Sequence, residues 1–121
     1  MARILIAEDD QSMSSFLVLA LEKAGHEVTS AENGLDALKV LEDTKTPFDL
    51  LLTDIVMPGM DGIELSNKAT KLHGDLKVMF ITGFAAVALG RDDLDTEKAE
   101  ILSKPFHLND LVKQVETLLA A

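Results

Sequence analysis

The 121-residue sequence predicts an α/β fold, one parallel sheet held between two layers of helices. Three observations carry that expectation. Short apolar runs alternate with longer stretches of helical period, five times over. The runs lack the polar alternation of a half-exposed strand, so both of their faces must be covered. A composition of 47% hydrophobic and 26% charged residues suits a single globular core, and the length suits one domain over 1–121.

The strands are expected at residues 4–7, weakly around Val28, at 50–53, at 78–82 and at 101–102. In the first helix Met13, Phe16, Leu17, Ala20, Leu21 and Ala24 recur at helical spacing, and Gly25 reads as its stop. A second helix follows the Asn33-Gly34 turn, marked by Leu35, Leu38 and Leu41. Ile63, Leu65 and Ala69 mark a third, with Glu64, Asn67, Lys68 and Lys71 on its sides. The clearest stripe is the last one, Leu108, Leu111, Val112, Val115, Leu118 and Leu119, with capping chemistry expected at Ser103, Lys104 and Pro105. Residues 90–100 are polar and acidic, so the helix after the fourth strand is expected to be short or frayed. Five strand–helix units joined by right-handed crossovers make a three-layer sandwich. No linker, repeat or second module is expected.

Charge narrows the function. With 21 acidic and 11 basic residues the balance is 11 − 21 = −10, which repels nucleic acid and anionic membrane surfaces. Zero cysteines exclude disulfides and thiolate metal sites. No stretch approaches the roughly 20 apolar residues of a spanning helix, and a cytoplasmic location is expected.

Ligands of an open parallel sheet sit beyond the carboxyl ends of its strands. There the first strand is followed by Glu8, Asp9 and Asp10, the third ends in Thr53-Asp54, the fourth in Thr82-Gly83, and the fifth in Ser103-Lys104-Pro105. Converging carboxylates cannot all stay ionised uncompensated, and a hard cation with oxygen ligands, Mg²⁺ above all, is the natural remedy. With a lysine, a hydroxyl and a spare carboxylate, such a cluster is equipped for phosphoryl transfer, with Asp54 as the attacking group. Plainer readings exist residue by residue. Asp10 reads equally as a helix N-cap, Asp54 as a turn residue before Pro58-Gly59, Thr82 as a strand former and Lys104 as a surface lysine. Their joint placement at one sheet edge favours the site. Met57 and Met60 read as loop packing, and His26, His73 and His107 as surface or turn residues.

The stretches ILIAEDD, LLTDIVMPGMDGIEL, MFITG and LSKPF together resemble the receiver domain of two-component response regulators, over the whole chain. The resemblance implies a flavodoxin-like (βα)5 sandwich with strand order 2-1-3-4-5 and no effector domain. It implies Asp54 as phosphoacceptor, Mg²⁺ held by Glu8, Asp9, Asp54 and the main-chain carbonyl of Val56, Thr82 as the switch hydroxyl, Lys104 as the family's lysine and Pro105 after a cis bond. A phosphohistidine on a histidine kinase or histidine phosphotransferase is the implied donor, docking against Gln11, Ser14, Ser15 and Val18 and the loop of Pro105, Phe106 and His107. Where many receivers carry a switching Tyr or Phe, this sequence has Ile101, so coupling is expected through Gly83 and Phe84. The receiver is not expected to be an enzyme beyond its own phosphorylation and dephosphorylation. Within the family, TDIVMPGMDGIEL, FITGFAAVAL and LSKPFHLNDLV resemble a stand-alone receiver that, unphosphorylated, acts as an adaptor for the ClpXP protease. A phosphate shuttle or sink in a phosphorelay is the alternative. A Mg²⁺-dependent phosphohydrolase with an aspartyl-phosphate intermediate fits less well, because Val56 stands where its general acid would be.

Overall fold

The computed structural model describes residues 2–82, 100–103 and 106–120. In chain order the elements are β1 (Arg3–Ala7), α1 (Gln11–Lys23), β2 (Glu27–Ala31), α2 (Gly34–Asp43), β3 (Leu50–Asp54), α3 (Gly62–Leu72), β4 (Lys77–Thr82), β5 (Glu100–Ser103) and α4 (Leu108–Ala120). All neighbouring strands pair in parallel, in the order β2-β1-β3-β4-β5. This is the expected sandwich and strand order. Of the stretch expected as a frayed helix, 90–99 lies outside the described residues and Glu100 opens β5.

The period of two along each strand sorts side chains between two cores. Ile4, Ile6, Leu50, Leu52, Met79 and Ile81 face one side, where Leu17, Ala20 and Leu21 of α1 and Leu111 and Val115 of α4 close over them. Leu5, Ala7 and Leu51 face the other, under Ala37 and Leu41 of α2 and Leu65 and Ala69 of α3. Both faces are thereby dry, which is why these strands read as unbroken apolar runs. β2 is the exception. As an edge strand its Glu27 and Ser30 are exposed, and its sequence signal is correspondingly weak.

The helix ends are set by short-range chemistry. Asp10 caps α1, its carboxylate accepting from the amides of Ser12 at 2.9 Å and Met13 at 3.2 Å. Asn33 and Asp61 do the same for α2 and α3, accepting from Asp36 N–H and Glu64 N–H, each at 2.8 Å. α1 closes in a Schellman turn. Gly25, at φ +97°, donates to the Glu22 carbonyl, and His26 N–H donates to that of Leu21.

Several expectations need correction. Phe16, Leu35 and Leu108 carry 42%, 56% and 38% exposure, so they flank the apolar stripes rather than fill them. In α2 the inner row is Gly34, Ala37 and Leu41, and Leu35 points away from it. Ser103 ends β5 five residues before α4 begins, and the His107 carbonyl, accepting from Leu111 N–H at 3.2 Å, opens that helix. His26 does stand in the turn that closes α1, as one of its two expected readings has it, but it is not at the surface: its side chain is 9% exposed, with Nδ1 accepting from the Ala2 amide. His73 holds a turn position, as expected, capping α3, and its Nε2 lies 2.8 Å from the Leu41 carbonyl, tying α3 to the end of α2.

Candidate functional site

The register brings the carboxyl ends of β1, β3 and β4 to one edge. Ala7 stands beside Thr53, Thr53 beside Phe80 and Asp54 beside Ile81, so Glu8, Asp54 and Thr82 leave the sheet as near neighbours. Glu8 is held there by its own amide, which donates to Ala31 O at 3.1 Å and extends the β1–β2 pairing by one step. It is 3% exposed, an unusual burial for a carboxylate. Asp9 is exposed and Asp54 is half-buried.

Glu8, Asp9 and Asp54 each offer a carboxylate oxygen within 4.8 Å of the others. This trio is the group of potential ligands that the described residues bring together. Asp10 turns away into its capping role, which separates it from the three residues placed before the site. An all-oxygen, acidic donor set is the kind that a hard divalent cation takes, so the residues present fit Mg²⁺.

The loop after Asp54 is built around that carboxylate. Val56 N–H donates to Asp54 Oδ1 at 3.3 Å, and the Val56 side chain projects outward, 58% exposed. Met57 and Met60 are buried under the loop at 7% and 6%, in the packing role expected of them. Gly59, at φ +77°, makes the turn, and Gly62 N–H returns to the Ile55 carbonyl at 2.8 Å. Thr82 is fully buried at the end of β4. Ile101 is half-buried in β5 and packs against Ile55, Ile63 and Phe80. Gly83, Phe84, Lys104 and Pro105 lie outside the described residues.

The Phe106 ring lies 6.4 Å from that of Phe16 on α1. Gln11, Ser14, Ser15 and Val18 line one wall of a groove whose far wall is Ser30, Ala31 and Glu32. Gln11 Nε2 bridges it to Glu32 at 3.1 Å. Glu8, Asp9 and Asp54, expected at the strand ends, do converge here, whereas Phe16, expected in the apolar stripe of α1, carries an exposed ring.

The Response regulator receiver domain family matches residues 4–116. Over 121 residues the chain is 60% identical to the "Response regulator receiver protein CpdR" of Brucella abortus (strain 2308), covering 100% of this chain and 99% of that one. Among solved structures it resembles the receiver domain of the hybrid histidine kinase CckA, with a TM-score of 0.82, 33% identity and 97% and 98% coverage of the two chains. It also resembles the response regulator protein TrrA of Thermotoga maritima in complex with Mg²⁺-BeF, with a TM-score of 0.83, 33% identity and coverage of 98% and 99%.

Proposed function

The chain belongs to the family of response regulator receiver domains, and from that premise we propose that it is a stand-alone receiver, phosphorylated on Asp54, whose phosphorylation state controls binding to a partner protein. Receiver domains interact with histidine kinases or phosphotransferases and bind Mg²⁺ through an acidic pocket. The observation that carries the reading for this chain is the trio of Glu8, Asp9 and Asp54 oxygens within 4.8 Å.

In this reading a carboxylate oxygen of Asp54 attacks the phosphorus of a phosphohistidine. The P–N bond breaks, the imidazole leaves with the electron pair and takes up a proton, and an aspartyl phosphate remains. Glu8, Asp9, Asp54 and the Val56 carbonyl are the residues that would hold Mg²⁺, which supplies neutralisation of the phosphoryl oxygens when bound. Lys104 is assigned a second neutralising charge, and Thr82 the hydroxyl that moves toward the new phosphoryl group. Buried Glu8 fixes one wall of the pocket, while exposed Asp9 leaves its mouth accessible to a donor. The donor docks on Gln11, Ser14, Ser15 and Val18 and on the Phe106 loop. Gly83 and Phe84, rather than an aromatic at Ile101, transmit the change. We assign the whole chain, 1–121, to one module acting in the cytoplasm, where its phosphodonor partners would meet it. Among the described residues no helix is long and apolar enough to cross a membrane.

For output, 60% identity to a CpdR supports the ClpXP-adaptor reading, in which the unphosphorylated form binds the protease. The likeness to the receiver of a hybrid kinase favours a second reading, a carrier within a phosphorelay. A pull-down from lysate with wild type and Asp54→Ala, with and without phosphodonor, separates them. Protease subunits recovered only without phosphorylation support the adaptor. Recovery regardless of phosphorylation, or none at all, overturns it. A phosphotransferase recovered without protease favours the relay.

A further inference from the structure

Two glycines hold the loop between β3 and α3. Gly62, the first residue of α3, sits so close to the end of β3 that a Cβ there would lie 2.0 Å from the Asp54 carbonyl oxygen. The same Cβ would lie 2.9 Å from the Asp54 carbonyl carbon and 3.0 Å from Ile55 Cα. Gly34, the first residue of α2, is the lesser case: its Cβ would meet the Met60 carbonyl oxygen at 2.8 Å. Neither glycine has a positive φ, so what these positions demand is space.

Both walls of the Gly62 contact are fixed. The Gly62 amide donates to Ile55 O at 2.8 Å, and the Asp61 carboxylate sets the helix start by accepting from Glu64 N–H. Ile55, Ile63 and Phe80, between 1% and 4% exposed, pack beneath the junction. Strand end and helix start therefore cannot separate freely, and an added methyl must displace backbone.

The geometry points to Gly62 as a positioning residue for Asp54. Its missing side chain lets α3 seat directly on the Asp54 carbonyl, and that seat sets where the carboxylate stands relative to Glu8 and Asp9. Gly34 supports the far end of the same loop through Met60. The inference rests on the reading of Asp54 as phosphoacceptor.

The size of the effect follows from the distances. Contacts of a Cβ under 3.0 Å are not sustained, so Gly62→Ala must open the junction by at least 3.0 − 2.0 = 1.0 Å. Misplacement of a reacting group by about 1 Å costs on the order of 10²-fold in rate. Gly34→Ala needs only 3.0 − 2.8 = 0.2 Å, and about a severalfold loss follows. Gly74→Ala is the control, because nothing lies within 4 Å of a Cβ there.

The test measures the labelling rate per folded molecule with acetyl phosphate at saturating Mg²⁺, the folded fraction being taken from circular dichroism. Backbone amide resonances are recorded in parallel without Mg²⁺. Expected are a roughly 100-fold slower rate and shifted Ile55 and Val56 amides in Gly62→Ala, a severalfold slower rate in Gly34→Ala, and wild-type behaviour in Gly74→Ala. A Gly62→Ala protein that melts earlier yet labels at the wild-type rate per folded molecule overturns the proposal. Should that variant not fold, Gly34→Ala decides, and wild-type labelling there overturns it. If the wild type itself is not labelled, the phosphoacceptor reading fails, and the amide shifts alone then support or overturn the positioning role.

Discussion

Replacing Asp54 by Asn removes one charge from the acidic trio while keeping the Oδ1 that accepts from Val56 N–H. At 4.8 Å, the outer limit of the cluster, two unit charges repel by about 0.9 kcal/mol in bulk water and about 3.5 kcal/mol at an effective dielectric near 20. Asp54 faces two such charges. Asp9 is exposed, which puts its pair with Asp54 near the lower figure, and neither Glu8 nor Asp54 is without other partners. We expect Asp54→Asn to stabilise the metal-free protein by about 1–2 kcal/mol, a rise of several degrees in melting temperature for a domain of this size. Mg²⁺ should act in the opposite sense. At about 100 times its dissociation constant it adds about 2.7 kcal/mol to the wild type, and most of that gain should vanish in the variant. Urea unfolding of both proteins, in EDTA and at saturating Mg²⁺, reads all four stabilities. If Asp54→Asn is less stable than wild type in EDTA, or keeps the full gain from Mg²⁺, the carboxylates are not a mutually repelling ligand set.

The other predictions are smaller in scope. Asp10→Ala should cost about 1 kcal/mol of stability by freeing the amides of Ser12 and Met13, and should leave Mg²⁺ affinity unchanged by calorimetry. A loss of Mg²⁺ binding would place Asp10 in the site after all. Val56 presents an exposed apolar side chain and no group to orient a hydrolytic water, so the aspartyl phosphate should decay slowly when unaided. Rapid loss of label from the isolated protein contradicts that role for Val56.

Strands β1, β3 and β4 were legible because both faces of each are covered, so their interior positions carry the same apolar demand. Their last residues were legible for a complementary reason. Glu8 and Asp54 interrupt an otherwise unbroken run, and a carboxylate placed at a buried strand end needs a purpose. Helix periodicity located the helices but blurred their flanks: Phe16, Leu35 and Leu108 share the spacing of buried neighbours, and only packing shows that the sheet does not reach them. Asn33 and Asp61 are caps whose donors lie three residues on. The burial of His26 follows from long-range contacts with Ala2 and Glu116, and no local pattern encodes those. The seat of Gly62 on Asp54 is likewise tertiary; a glycine at the start of a helix looks the same in sequence whether or not a strand end presses against it.

Phosphorylation mapped to a residue tests the central claim most directly. The full chain is treated with a small-molecule phosphodonor, with Mg²⁺ or with EDTA, and the acyl phosphate is located by mass spectrometry of its peptides. A single phosphoryl group on Asp54 that forms with Mg²⁺ and not with EDTA is the result this account predicts. A phosphoryl group on another residue, or one that forms equally well in EDTA, contradicts it.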